Sequence, residues 1–168
     1  GQVIQASNLM IHYLPQNPEF SEEDTVLQSV QNMVHHHANE NELIAAKAML
    51  TRLGITDFEQ KTRELSGGQR KRLALVSVLI TPCDVLILDE PTNHLDSEMA
   101  DWLENKLQAF RGALVMVTHD RYFLDSVTNK IIELDKGKIY SYDEKYSGFL
   151  QRKAEREESV RASERKRQ

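Results

Sequence analysis

The sequence contains little cysteine and no long apolar run. Its 168 residues include a single cysteine, Cys83, which excludes an internal disulfide and fits a reducing cytoplasm. No apolar run approaches the roughly 20 residues that a membrane-spanning helix needs. The first residues also lack the basic-then-apolar pattern of a secretion signal. These absences predict a cytoplasmic protein that has no membrane partner.

Charge is distributed unevenly along the chain, although the net charge is only −5. Residues 151–168 contain seven Lys or Arg against four Glu, so residues 1–150 are acidic. After Ala154 apolar residues become rare, which predicts a solvated helix or a segment that a partner orders. A basic tail is suited to RNA phosphates, and a plain solvated linker is the alternative.

The pattern of apolar residues predicts an α/β fold built on a mostly parallel sheet. Residues 84–89 and 113–118 contain continuous apolar runs, which are typical of strands buried on both faces of such a sheet. A tight turn at Asp135-Lys136-Gly137 predicts a β-hairpin. The other predicted elements are strands at 3–4, 9–14, 130–134 and 138–142, and helices at 21–34, 40–53, 66–80, 97–110, 121–127 and from 144 onward.

Two of these helices interrupt the α/β pattern. Ser21 is interpreted as the N-cap of the first, because acidic residues follow it in the first turn, where they suit the helix dipole. Gly54 closes the second helix. We therefore predict an inserted helical subdomain at about residues 17–65.

Two carboxylates, Asp89 and Glu90, directly follow the apolar run Val85–Leu88. Pro91 then ends the strand, because it has no N–H to donate to a neighbouring strand. Open parallel sheets bind their ligands just outside the carboxyl ends of their strands. The pair is therefore a candidate site, and the alternative is a strand that simply stops in a polar turn.

Two other segments place polar groups where a ligand can meet them. Ser66-Gly67-Gly68-Gln69 opens a predicted helix, so its backbone N–H groups and the helix dipole favour an anion. The alternative there is an ordinary Ser N-cap followed by a flexible turn. His119 ends the second buried strand, at the same sheet edge as Asp89 and Glu90. A single His at a strand end is often structural, but two neighbouring strands with polar ends indicate a site.

Three segments, in this order and spacing, together resemble the ABC-type ATPases. They are similar to the signature motif, the Walker B motif and the switch histidine of that family. The segments are Leu65-Ser66-Gly67-Gly68-Gln69, Leu86-Ile87-Leu88-Asp89-Glu90-Pro91-Thr92 and Thr118-His119-Asp120. The resemblance implies a P-loop NTPase core that binds ATP.

Further segments refine the resemblance. Tyr13-Leu14-Pro15-Gln16 resembles the Q-loop, which lies between the catalytic core and the helical subdomain. Asn93-His94-Leu95-Asp96 resembles the ABC-F group of translation factors, whereas transporter domains more often carry Ser-Ala-Leu-Asp there. The tail is similar to the start of the charged linker that joins the two ATPase domains of ABC-F proteins. The implied organisation is a nucleotide-binding domain at 1–150 and a helical linker start at 151–168.

The resemblance also implies a role for each of the four polar residues that follow the predicted strands. Asp89 would hold Mg²⁺, directly or through water. Glu90 would polarise the attacking water, and His119 would contact the γ-phosphate and orient that water. Gln16 would sense both Mg²⁺ and the water.

The signature segment is implied to act on a second nucleotide. Ser66 and the N–H groups of Gly67 and Gly68, in the loop that ends at Gln69, would bind the γ-phosphate of an ATP held mainly by an opposing ABC domain. Asp96 would line the interface between the two domains. The implied catalysis consists of positioning and charge stabilisation.

One motif of the family is missing from the chain. No Gly-x-x-x-x-Gly-Lys-Ser/Thr occurs anywhere, and Gly67-Gly68-Gln69-Arg70-Lys71 is no substitute, because its spacing is wrong and no Ser or Thr follows Lys71. The segment Gly1–Ile4 resembles the residues just after the P-loop helix. We therefore expect a fragment truncated after the Walker A region, without the P-loop strand and inactive alone.

The resemblance implies ATP hydrolysis by a sandwich of two ABC domains, in one chain or in homologous chains, coupled to work on the ribosome. The basic tail is the part suited to ribosomal RNA. Two alternatives stay open, namely an ATPase subunit of a membrane ABC transporter and a non-catalytic interaction module. The missing P-loop fits the second alternative, while Glu90 favours catalysis, because many degenerate sites lose that acid.

Overall fold

The structure is a computed structural model that describes residues 1–33 and 38–165. Residue 34, which ends the first predicted helix, and the last three residues of the predicted linker lie outside the described residues. The chain divides into two compact units, Gly1–His119 and Asp120–Gln168. None of the described helices has both the length and the apolar character needed to cross a bilayer.

Three parallel strands form the sheet of the first unit. They are β1 (Ile11–Leu14), β2 (Val85–Asp89) and β3 (Ala113–Val117), in the order β1-β2-β3. β2 pairs with a strand on each side, and Leu86 and Leu88 on one of its faces are 1% and 0% exposed. The other face of β2 is only half-buried and β3 alternates between exposed and half-buried residues, so the predicted burial of both faces is wrong for these strands. The parallel arrangement confirms the predicted α/β fold with a parallel sheet, and it brings the carboxyl ends of the three strands to one edge.

Among the described residues of this unit, four helices and a short 3-10 turn accompany the sheet. The helix α3 contributes most to the core, because its residues from Leu73 to Val78 are all buried. Both helices of the predicted helical subdomain contact α3, which in turn contacts β1. The elements are α1 (Val26–Met33), α2 (Glu40–Arg52), the 3-10 turn Thr62–Glu64, α3 (Gly67–Leu79) and α4 (Ser97–Gln108).

The first helix begins five residues later than the sequence predicts, so the interpretation of Ser21 as its N-cap is wrong. Thr25 forms an antiparallel bridge with Lys61, and the N–H of Val26 donates to the carbonyl of Gln60 at 2.9 Å. The residues before this bridge form a turn, in which the Asp24 N–H donates to the Ser21 carbonyl at 3.1 Å. A local capping pair then starts α1, because the Gln28 N–H donates to Thr25 Oγ1 at 3.2 Å.

The strand predicted at residues 3–4 is also wrong. Val3 and Ile4 form no strand, and they are 91% and 88% exposed. The following strand begins at Ile11, two residues later than predicted, because its pairing with β2 starts at Val85. The prediction of a strand at residues 3–4 rests only on their apolar character. That character does not show whether another strand lies close enough to pair with them.

In the second unit, the residues up to Arg165 form a β-hairpin and two helices. Its elements are α5 (Arg121–Val127), β4 (Ile131–Asp135), β5 (Lys138–Tyr142) and α6 (Tyr146–Arg165). The predicted tight turn is present, with Lys136 and Gly137 at φ 48° and 75°, the left-handed values that a two-residue hairpin turn requires. Phe149 anchors α6, because its ring stacks edge-to-face on Tyr142 at 5.0 Å.

Polar contacts fasten the next two turns of α6 to the hairpin. Glu133 on β4 pairs with Lys153 and, at 3.1 Å, with Arg156. The guanidinium carbon of Arg156 lies 3.6 Å from the centre of the Tyr140 ring. Beyond Arg156 the helix is exposed up to Arg165. The predicted boundary at residue 150 falls inside this continuous helix and stays a prediction.

Candidate functional site

The carboxyl end of β2 presents two carboxylates in different environments. Asp89 is half-buried at the last position of the strand, while Glu90 is only 7% exposed. Glu90 has φ 50°, in the left-handed region that non-glycine residues rarely occupy. Its N–H donates to the carbonyl of Val117 at 2.7 Å, so β3 holds this conformation. Strain of this kind is typical of functional positions.

His119 lies directly over the buried carboxylate. Its Nε2 is 3.4 Å from Glu90 Oε1, and its backbone N–H points to Glu90 Oε2 at 3.4 Å. The side chain of His119 is 99% exposed, whereas that of Glu90 is 9% exposed. The structure therefore brings the two predicted residues together, with a buried acid beneath an imidazole that faces the surface.

Gln16 follows β1 at the same edge of the sheet. Its side chain is exposed, and its carbonyl accepts a hydrogen bond from Lys71 Nζ at 3.2 Å. Lys71 also donates to the carbonyls of Pro15, at 2.8 Å, and of Asp89, at 2.7 Å. The ammonium thus joins the residues after β1 to the end of β2.

Sequence reasoning missed Lys71, which is 4% exposed. Burial lowers the pKa of its ammonium, and the charges of Asp89 and Glu90 partly offset that effect. The available signal was its position on α3, because Leu75 and Val78 follow at spacings that share one helix face, and both are buried. A lysine on an apolar helix face needs polar partners, here backbone carbonyls.

The predicted anion loop, Ser66–Gln69, begins α3 with a capping box. The Gln69 N–H donates to Ser66 Oγ at 3.1 Å, and the Ser66 N–H donates to Gln69 Oε1 at 2.9 Å. The N–H groups of Gly67 and Gly68 have no carbonyl in the preceding turn to bond. Because Gly67 is exposed, these donors are available to a phosphate oxygen.

His94 flanks this loop. It has φ 64°, and a Cβ at Gly68 would lie 3.3 Å from the Cβ of His94. Asp96, two residues on, is exposed and is the N-cap of α4, since its carboxylate accepts from the Met99 N–H at 2.8 Å. The segment between β2 and α4 therefore reaches from the acids to the anion loop.

The carboxylates at the end of β2 can bind Mg²⁺ only if other groups complete the coordination of the ion. Within residues 1–33 and 38–165 there is no cluster of three His, Cys, Asp or Glu side chains that could hold a metal ion. Mg²⁺ usually takes one or two carboxylates and fills its other positions with water and substrate phosphates. The half-buried Asp89 fits that requirement, and the open N–H groups of the anion loop fit a phosphate.

Comparison with known protein families gives an independent result. A family model described as ABC transporter matches residues 2–93. An uncharacterized ABC transporter ATP-binding protein, YfmR of Bacillus subtilis, is 38% identical over 100% of this chain and 33% of its own length. The energy-dependent translational throttle protein EttA of Mycobacterium tuberculosis is 52% identical over 58% of this chain and 18% of its own length.

A solved structure shows the same fold. It is the complex of the archaeal ribosomal stalk protein aP1 with the archaeal ribosome recycling factor aABCE1. The TM-score is 0.63 with 26% sequence identity, over 84% of this chain and 28% of that one. The chain spans about a third or less of the length of these relatives.

Proposed function

This chain belongs to the ABC transporter family, as an ATP-binding domain of the ABC-F type, and we propose that it supplies one half of a composite site for ATP hydrolysis. The observation that carries the proposal is the buried Glu90 beneath the exposed His119, with their side chains 3.4 Å apart. The left-handed backbone of Glu90 adds support, because strained backbone of this kind clusters at functional sites. The pair also lies at the sheet edge where Asp89 ends β2.

In the proposed mechanism, each residue of this edge has one task. Glu90 accepts a hydrogen bond from the attacking water and polarises it, and His119 orients that water and donates to the γ-phosphate. Asp89 would hold Mg²⁺, and the ion would supply positive charge next to the phosphates. Gln16, which is exposed just after β1, would sense whether the ion and the water are in place.

The anion loop serves a second composite site, which contains a different nucleotide. Ser66, Gly67 and Gly68 place a hydroxyl and two unpaired N–H groups at the N-terminus of α3, where the helix dipole favours negative charge. We propose that they bind the γ-phosphate of an ATP that a second ABC domain holds. Asp96 lies at the interface between the two domains.

The whole protein is proposed to couple this hydrolysis to the ribosome. Support comes from the relative named as a translational throttle and from the neighbour crystallised with a ribosomal stalk protein. The tail at residues 151–168, which contains seven Lys or Arg against four Glu, supplies charge for RNA phosphates. A role as the ATPase subunit of a membrane transporter is the second candidate, since YfmR is named as a transporter ATP-binding protein.

The test is Glu90→Gln in the whole protein, which keeps the size of the side chain and removes its charge. We expect the hydrolysis rate to fall by about 10²–10⁴-fold, as for loss of a general base, with ATP affinity nearly unchanged. The variant should also accumulate on ribosomes in the presence of ATP, as measured by cosedimentation. Glu59→Gln, at an exposed carboxylate, is the matched control and should keep the wild-type rate. Turnover of the Glu90 variant at the wild-type rate would refute the assigned role.

A further inference from the structure

Lys71 connects segments that the proposed function assigns to two different nucleotides. It lies on α3, five residues after Ser66, so the anion loop and the ammonium belong to one rigid helix. Its Nζ contacts the carbonyls of Pro15, Gln16 and Asp89 at 2.8, 3.2 and 2.7 Å. The first two carbonyls follow β1, and the third ends β2.

These contacts use the full donor capacity of the side chain. A lysine ammonium has three N–H donors and no acceptor, and here three carbonyl oxygens lie within hydrogen-bond distance. With Lys71 only 4% exposed, water cannot easily replace any of them. Hydrogen bonds from a charged donor are shorter and stronger than neutral ones. A displacement of α3 therefore moves the residues after β1 and the end of β2 with it.

We propose that Lys71 is a positioning residue that couples the anion loop to the hydrolytic groups of the same domain. The inference rests on the proposed function, in which the loop binds the nucleotide of the opposing domain while Gln16, Asp89 and Glu90 act on the other nucleotide. Occupancy of one composite site then sets the alignment of Gln16 and Glu90 at the other. Lys71 itself contacts neither the substrate nor the attacking water.

The test is Lys71→Met in the whole protein, which keeps the length of the side chain and removes its donors. Lys106→Met, at an exposed position of α4, is the matched control. Hydrogen–deuterium exchange without nucleotide should be at least about fivefold faster at residues 13–17 and 88–91 of the Lys71 variant, because their anchor is lost. Exchange in α4 and in the second unit should be unchanged. This readout does not depend on hydrolysis, so it remains informative if the proposed function fails.

A double-mutant cycle with Ser66→Ala tests the coupling itself. If Lys71 transmits the state of the loop, the effects of the two substitutions on kcat should be non-additive by about 5-fold or more, the usual range for coupled sites. Lys71→Met should lower kcat with little change in KM, and Lys71→Arg, which keeps charged donors, should restore part of the rate. Additive effects on kcat, or unchanged exchange at residues 13–17, would overturn the proposal. A loss of activity that only follows the fraction of folded protein would overturn it as well.

Discussion

Gly68 is the residue at which the anion loop meets the segment that follows the acids. A methyl group there would lie 3.3 Å from the Cβ of His94, tighter than ordinary contacts, while a methyl group at Gly67 would meet nothing within 4 Å. His94 already has a left-handed backbone, at φ 64°, so it has few alternative conformations. The two glycines are adjacent in sequence but have different surroundings.

We therefore expect Gly68→Ala to displace His94, and Gly67→Ala to leave it in place. The imidazole C–H resonances of His94 in an NMR spectrum should shift only in the first variant. In urea unfolding, Gly68→Ala should be less stable than Gly67→Ala by about 0.5–1 kcal/mol, because both gain the same helix propensity and only one must relieve a contact. Equal stability and identical His94 resonances in the two variants would contradict the contact.

At the scale of elements, the ion pairs of Glu133 on β4 with Lys153 and Arg156 hold α6 against the hairpin; we call these ion pairs the clamp. Glu133 is 11% exposed and has two cationic partners on α6, Lys153 and Arg156. Although burial raises the pKa of Glu133, its hydrogen bond with Lys153 and the nearby positive charges hold that pKa below its usual value. A lowered carboxyl pKa stabilises the fold above the pKa of the unfolded state, near 4.3, and that contribution disappears as the pH falls through the folded pKa.

Glu133→Gln should therefore destabilise the chain at pH 7 and matter much less near pH 3. We expect a loss of about 1–2 kcal/mol at pH 7, as for hydrogen bonds to a charged group. Urea unfolding followed by the helical circular dichroism of the chain would measure it at both pH values. Glu144→Gln, at a carboxylate that is 40% exposed, is the control and should change stability by less than about 0.5 kcal/mol. An effect of Glu133→Gln that is the same at both pH values would exclude the ionised clamp.

The central elements were predictable because their signals are local. The apolar run before Asp89 and the run before His119 identified two strands, and the parallel arrangement then brought Glu90 and His119 to one edge. The turn at Lys136 and Gly137 was predictable from its residue types. In each case the physical cause lies within a few residues of the element that it determines.

The missed features depend on contacts between residues far apart in sequence. The late start of α1 follows from the bridge between Thr25 and Lys61, which no local pattern contains. The role of Lys71 follows from carbonyls 55 and 56 residues earlier and 18 residues later. Sequence periodicity shows that a lysine lies on an apolar face, but it does not identify its partners.

At the scale of the whole molecule, the chain has acidic-site residues and an anion loop but no phosphate-binding Gly-x-x-x-x-Gly-Lys-Ser/Thr segment. A Gly-x-x-x-x-Gly-Lys-Ser/Thr segment normally supplies a ring of backbone N–H groups and a lysine for the β- and γ-phosphates. In the described sheet, β3 is an edge strand, and its residues Val115 and Val117 are 50% and 58% exposed. The groups that we propose to act on a bound nucleotide are thus present without the segment that would hold its phosphates.

This division predicts that the chain alone binds ATP weakly, because one loop with two open N–H groups offers few of the contacts that tight binding needs. Titration of the isolated 168-residue chain with a fluorescent ATP analogue and Mg²⁺ should give a Kd no tighter than about 1 mM, equivalent to about −4 kcal/mol. The whole protein, titrated under the same conditions, is the control and should bind far more tightly. The circular dichroism of the isolated chain must first show its helices, so that weak binding does not reflect unfolding. Micromolar binding by the folded isolated chain would show that residues within it hold the phosphates, and the composite site would then need a different division of roles.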